Sequence, residues 1–224
     1  MAAANTGNLD VHSGHQVYTP RLLRWYDLIV HGVSNRWFWS CPTQLLEAWF
    51  DEHATNNHLD IGVGTGFFPD RCSVFSPDAR IGLLDANPNC LAAAAKRLKR
   101  FQPETFEANL AEPFTQLKEP FTSVSLMYVL HCLPGDVAFR ARVIQHASSV
   151  LAADGKLFGA TILGQPQPTS WLGRQVMDSY NRKGIFGNQH DSLSALREVL
   201  EVSLADVEIE QVGSVAMFAG RKNC

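Results

Sequence analysis

The chain has 224 residues, 46% of them hydrophobic and 18% charged, which is enough apolar material for one globular domain with a sizeable core. Its formal net charge of −3 leaves no broad basic field, which speaks against nucleic acid or an anionic membrane as partner. The five cysteines (Cys41, Cys72, Cys90, Cys132 and Cys224) are odd in number, scattered and without a CxxC pair, so neither a disulfide framework nor a zinc site is suggested, and a reducing, cytoplasmic setting fits best.

The first residues, "MAAANTGNLDVHSGH", lack a basic-then-apolar leader, and no apolar run approaches the ~20 residues that span a bilayer. Residues 1–15 read as a flexible tail and 16–224 as a single domain. From 16 to 55 the pattern is helical and rich in aromatics, with Pro20 and Pro42 near helix starts and Gly32 between two helices: a helical cap. A strand at His58–Ile61 runs into a glycine loop and a helix over 68–75. The strand "RIGLLDAN" follows, then the alanine-rich helix "PNCLAAAAKRLKRF" opened by Asn87-Pro88. "TFEANL" is a third strand, and "SVSLMYVLHCL" a fourth, apolar enough to be buried on both faces. "DVAFRARVIQHASSVLAADG" reads as a helix ending at Gly155, and "KLFGATIL" as a fifth strand. Strands alternating with helices imply a parallel sheet covered on both faces. The rhythm then breaks. Residues 164–191 are polar and glycine-punctuated, "SLSALREVLEVSL" is a helix, and "DVEIEQVG" and "VAMFAGRK" form a terminal hairpin.

In "HLDIGVGTGFF" the glycines at 62, 64 and 66 follow an apolar run, where glycine gains nothing as a strand residue. They suit a tight turn that approaches a ligand at the carboxyl end of the first strand. The spacing is G-x-G-x-G and not the dinucleotide G-x-G-x-x-G, and no phosphate-binding G-x-x-x-x-G-K-[ST] occurs. The second strand ends in Asp85, about 20 residues on, where an acid can accept both hydroxyls of a ribose. Together these indicate an adenosine-type ligand that is not a dinucleotide.

"HLDIGVGTGFF", "IGLLDANPNCL", "FEANLAEPF" and "SVSLMYVLHCLPG", in this order over about Leu59–Thr161, resemble the successive motifs of class I S-adenosylmethionine-dependent methyltransferases, in particular small single-domain microbial and fungal enzymes. The resemblance implies an α/β fold: a doubly wound, mostly parallel seven-stranded sheet with a C-terminal antiparallel hairpin. It implies S-adenosylmethionine as cofactor and S-adenosylhomocysteine as product. By position, Asp60, Gly62 and Gly64 in the loop closed by Gly66 would approach the cofactor's amino-acid end. Asp85 would hold the ribose, and Ala86 and Asn87 would flank the adenine. Asn109 and Leu110 would meet the adenine edge and face, and Tyr128 and Val129 would line the pocket near the sulfonium. Tyr18, in the cap with Tyr26, would bond the cofactor carboxylate or simply pack. Val63 departs from the family form, where a cysteine or other small residue is frequent.

Methyl transfer from a sulfonium is an in-line displacement with an activated leaving group, so the protein mainly aligns and excludes water. His131, just past the fourth strand, is the candidate general base at the mouth of the site, or else a packing histidine. Trp37 and Trp39 could cover a flat acceptor, or belong to a helix core. The insertion 164–191 reads as a lid over the acceptor, with Tyr180, Asn181 and His190 facing it and Asp191 or Ser192 capping the next helix. No His/Asp/Glu cluster has metal-ligand spacing, so no metal is expected. Size and charge favour a small-molecule acceptor, and the aromatic-rich cap an apolar or aromatic one of specialised metabolism, methylated at oxygen in the first reading with nitrogen or carbon as alternatives, by a monomer or homodimer. The alternatives are a methyltransferase fold repurposed for another reaction or a regulatory binding role, and a protein methyltransferase, which would need an open groove.

Overall fold

The computed structural model describes residues 35, 38–134, 136–166, 168 and 170–223. The tail, most of the helical cap, and with them Tyr18, Tyr26 and Trp37, lie outside the described residues. The elements are α1 (Thr43–His53), β1 (Asn57–Ile61), α2 (Phe67–Arg71), β2 (Arg80–Asp85), α3 (Pro88–Arg97), β3 (Glu104–Glu107), β4 (Phe121–Met127), α4 (Val137–Ser149), β5 (Leu151–Ile162), α5 (Trp171–Arg182), α6 (Leu193–Glu201), β6 (Leu204–Val212) and β7 (Val215–Lys222). They build a seven-stranded sheet of order β3-β2-β1-β4-β5-β7-β6. β1 to β5 pair parallel, and β7 is antiparallel to both β5 and β6. The expected doubly wound sheet with a terminal hairpin is therefore the observed architecture.

The side-chain period of two divides each strand between two cores. Leu59, Ile61, Val124, Leu126 and Leu157 face one way, against Phe139, Val143 and Ile144 of α4 and Leu196, Val199 and Leu200 of α6. Met127, Phe158, Ala160 and Ile162 face the other way, against Leu46, Trp49 and Phe50 of α1, Phe68 of α2 and Met177 of α5. Ile81 and Leu83 meet Leu91, Ala94 and Leu98 of the α3 segment. α3 starts where the sequence places it: the Asn87 side chain accepts from Asn89 N–H at 2.9 Å, with Pro88 in the first turn.

Several boundaries differ from the sequence reading. α4 stops at Ser149, and Leu151 already pairs with Phe121, so the "LAADG" read as helix opens β5; Asp154 sits at φ 61 where the strand bulges. β4 ends at Met127. Tyr128 then takes φ 60 and donates its N–H to Ala160 O, and a 3-10 turn follows at Leu130–Cys132. The apolar run did not end there because the turn itself is buried. β3 ends at Glu107, since Asn109 Oδ1 accepts from Ala111 N–H and bends the chain away. α2 closes at Arg71. Cys41, Cys72, Cys90 and Cys132 are free thiols, and no described helix is long and apolar enough to cross a membrane.

Candidate active site

The loop after β1 lies over the end of β2, where Gly62 N–H donates to Leu84 O at 2.7 Å. Gly62, Gly64 and Gly66 all hold positive φ, at 68, 55 and 71°. Two of them also answer to packing. A Cβ on Gly62 would sit 2.6 Å from Val129 Cγ2, and one on Gly66 would sit 3.1 Å from the Ala94 Cβ of α3. At Gly64 the nearest such contact is Gly62 O at 4.0 Å, so that side of the loop is open.

Asp85 is buried at the tip of β2. Its carboxylate accepts from Gly64 N–H at 3.1 Å and Asn87 N–H at 2.9 Å, one on each oxygen. These two backbone donors fix the orientation of the group. Ala86 is half-buried beside it, and Asn87 is buried as the α3 cap. Asn109 is half-buried in its turn, whereas Leu110 is packed in the core.

Asp60, on the last turn of the pleat before the loop, is buried and accepts from the Ser125 hydroxyl of β4. Burial pushes its carboxyl up to about 7, the Ser125 bond opposes this, and the Asp85 charge adds to it.

Beyond β4 the structure gathers an aromatic enclosure. The His131 ring lies 5.5 Å from Tyr128 and 4.7 Å from Phe186, both edge-on. Phe186 in turn meets Tyr180 at 5.1 Å and Trp39 at 6.0 Å. The half-buried Tyr128 donates its hydroxyl to Asn35 Oδ1 at 2.9 Å. His131 is thus not at an open mouth: it is 3% exposed, covered by Phe186 of the insertion. Ile162 N–H donates to its Nδ1 at 3.3 Å, with the Thr161 hydroxyl at 3.4 Å. An N–H can only donate, so Nδ1 carries the lone pair and the neutral ring bears its proton on Nε2. Burial, then the Arg140 charge, lowers the ring to about 3. In this arrangement Nδ1 is taken up as an acceptor, and Nε2–H is what the ring has to offer the site.

The insertion is tied down at several points. Asn181 donates to Met177 O and to Asn188 Oδ1, and the fully buried Asn188 donates to Ile162 O at 2.8 Å. A Cβ on Gly164 would lie 1.9 Å from Asn188 O, and one on Gly187 2.3 Å from Leu133 O, so the backbones touch there. Asp191 is not a helix cap. Ser192 caps α6, accepting from Ala195 N–H, while Asp191 pairs with Arg140 of α4 at 3.1 Å. His190 is exposed and joins neither the aromatic enclosure nor the capping bond. Sequence reasoning passed over Asn35, Phe186 and Asn188, which carry no local signal. It also passed over Ser123 and Ser125, whose alternation inside an apolar strand was such a signal. Among the described residues no three His, Cys, Asp or Glu side chains cluster as metal ligands.

The fold is a doubly wound sheet with a glycine loop and a buried acid at the carboxyl ends of β1 and β2, and comparison with known proteins gives the family. A family model described as a methyltransferase domain matches residues 59–157. The chain is 34% identical over 220 residues to demethylluteothin O-methyltransferase of Streptomyces thioluteus, spanning 97% of this chain and 96% of that one. It is 33% identical to a physcion biosynthesis cluster O-methyltransferase of Aspergillus chevalieri, over 93% and 95% of the two. The solved N-methyltransferase NodS from Bradyrhizobium japonicum WM9, in complex with S-adenosyl-L-homocysteine, shares the fold at a TM-score of 0.58, with 19% identity over 81% of this chain and 85% of that one. The chain belongs to the class I S-adenosylmethionine-dependent methyltransferases and is an enzyme of that activity.

Proposed function

We propose that the enzyme methylates a hydroxyl of a small aromatic or enolic metabolite, using S-adenosylmethionine held between the glycine loop and Asp85. The single observation that carries the acceptor class is the enclosure of Tyr128, His131, Tyr180, Phe186 and Trp39, which is suited to a flat apolar ring. The O-methyltransferase names of the two relatives agree with oxygen as the target. The cofactor supplies a methyl group on a positively charged sulfur, an already activated leaving group. The open side of Gly64 and the Asp85 carboxylate held at the tip of β2 suit its ribose, and Asp60 suits its amino-acid end. Tyr128 and Val129 shape the floor between cofactor and acceptor. His131 presents Nε2–H as a positioning donor, and the buried Phe186 and Asn188 of the insertion help to keep water out. Tyr18 and Trp37 remain candidates on the cap side, and His190 on the outer rim.

The test is calorimetric titration with S-adenosylmethionine and S-adenosylhomocysteine, followed by mass spectrometry of methyl transfer to a panel of phenols, enols and peptides. Micromolar binding is expected, weakened about tenfold or more by Asp85→Ala, with methylation confined to the phenols and enols. Methylated peptides, or binding without turnover of any hydroxyl compound, would overturn the acceptor class. No binding at all would overturn the cofactor reading.

A further inference from the structure

His58 opens the strand that ends in Asp60, yet no part of the methyl-transfer reading uses it. It is fully buried beneath the site, and its ring packs on Phe50 of α1, Phe158 of β5 and Phe75. In this apolar setting its two nitrogens are both hydrogen-bonded. Nδ1 lies 2.8 Å from the Ser123 hydroxyl and Nε2 3.1 Å from the Ser125 hydroxyl. Ser125 reaches Asp60 Oδ1 at 2.5 Å. The parallel register produces this column: His58 pairs with Ser123 and Asp60 with Ser125, all on one face.

Donor and acceptor rules fix the sense of the chain. An ionised Asp60 can only accept, so the single Ser125 hydrogen points at it. Ser125 oxygen must then accept from His58, which puts the ring proton on Nε2. His58 Nδ1 therefore accepts from the Ser123 hydroxyl, whose oxygen accepts from Thr55 N–H at 3.0 Å. With Asp60 ionised every donor points toward it; Thr55 Oγ1, 3.0 Å from the Ser123 hydroxyl, is the acceptor that would take the Ser123 hydrogen if the chain ran the other way. A protonated Asp60 would donate to Ser125 and require the opposite His58 tautomer.

We propose that His58 is a positioning residue for cofactor binding: in its Nε2–H tautomer it holds the Ser125 hydroxyl on Asp60 and so keeps Asp60 an acceptor for the cofactor's ammonium. This rests on the reading that Asp60 receives the amino-acid end of S-adenosylmethionine. The charged group acting on Asp60 from a neighbouring strand is Asp85 of β2, while β4 faces it with Ser125 alone. The elements packed on His58 meet its ring with phenylalanines, and the titratable group beside them is His53 of α1, whose ring lies 5.6 Å from Phe158. The polarity of the chain works against the burial that raises Asp60.

Two measurements on the intact enzyme test this. Nitrogen-15 NMR of wild-type His58 at pH 8.5 is expected to show the Nε2–H tautomer, moving toward Nδ1–H as Asp60 titrates in carbon-13 carboxyl spectra. In His58→Phe the Asp60 midpoint is expected to rise by about one pH unit. S-adenosylhomocysteine affinity should then be about fivefold weaker at pH 7 and within about twofold of wild type at pH 8.5. His58→Gln, which can still donate to Ser125, should restore most of the pH 7 affinity, and Ser125→Ala should behave like His58→Phe. A wild-type Nδ1–H tautomer at pH 8.5, or variants whose affinity drops equally at both pH values, would overturn the proposal while the cofactor reading stands. Wild-type protein that binds no S-adenosylhomocysteine at any pH would sink both, and the tautomer measurement tells the cases apart if His58→Phe does not fold.

Discussion

His58 and His131 are enclosed bases, both pushed down to about 3, whereas Asp60 is an enclosed acid pushed up to about 7; burial is the leading cause for all three. Their contributions to stability have opposite signs. The unfolded chain protonates its histidines near pH 6.5, so what these two contribute is complete above that value and is lost as pH falls toward 3. The folded chain holds a proton on Asp60 that the unfolded chain releases near pH 3.8, so what Asp60 contributes is present below that value and is lost as pH rises through 7. Over pH 4.5 to 6 two protons favour the unfolded state and one favours the folded state. Asp60→Asn should therefore steepen the fall in stability on acidification by about 1.4 kcal/mol per pH unit, and His131→Gln should make it shallower by about the same slope. Urea unfolding at half-unit pH steps checks both signs. Identical slopes in wild type and Asp60→Asn would show that Asp60 is ionised across this range.

At the scale of elements, the insertion is held by one ion pair that the sequence does not reveal. Arg140 and Asp191 have side chains 7% and 12% exposed and meet at 3.1 Å. Arg140 also donates to Gly187 O at 2.5 Å and Asp136 O at 3.2 Å. Burial raises the Asp191 carboxyl and Arg140 opposes it, as in a pair whose desolvation is only partly offset. Leaving either charge alone is the costly change. Arg140→Met is expected to lower stability by about 3 kcal/mol and to expose residues 164–191 to limited proteolysis, while adding Asp191→Leu should recover part of that loss. Denaturant melts of the two single variants and the double variant measure the coupling, and additive losses would mean the pair does not act as a unit. The same residues show what local sequence can and cannot say. "HDSLSAL" announces a helix start, and Asp191 and Ser192 are equally good caps by type. Ser192 takes the cap because Asp191 is claimed by an arginine from α4, a fact no local pattern contains. Tyr128 is a similar case: nothing in "SLMYVLHCL" marks a left-handed residue, since the turn that ends β4 is as apolar as the strand. The glycine loop and Asp85 were legible because their demand, room for the backbone and an acid at a strand tip, is met by residue type alone.

For the whole molecule, the parallel sheet and its terminal hairpin were readable because strands alternate with helices through most of the chain and the last two strands are joined by a single Gly-Ser turn. The edges were not, because an edge strand is set by what covers it. β2, β1, β4, β5 and β7 lie inside the sheet, and β4, β5 and β7 carry residues of both cores. β3 has three exposed residues of four, and β6 is mostly exposed or half-exposed along its length. Local opening follows burial, so the inner strands should open only with global unfolding and the edges well before it. Amide exchange followed by mass spectrometry is expected to show β1, β4, β5 and β7 as the slowest group, with β3 and β6 faster by about tenfold or more. If the glycine loop and Asp85 hold the cofactor as proposed, adding S-adenosylhomocysteine should slow residues 62–66 and 85–87 and leave β6 unchanged. Exchange in β3 as slow as in β4 would mean that cover from outside the described residues, or from a second copy of the chain, reaches that edge. Protection confined to β1, β4, β5 and β7 would instead place the stability of the enzyme in the strands that also present Asp60 and the His131 turn, with the aromatic cluster mounted on the part of the molecule that yields last.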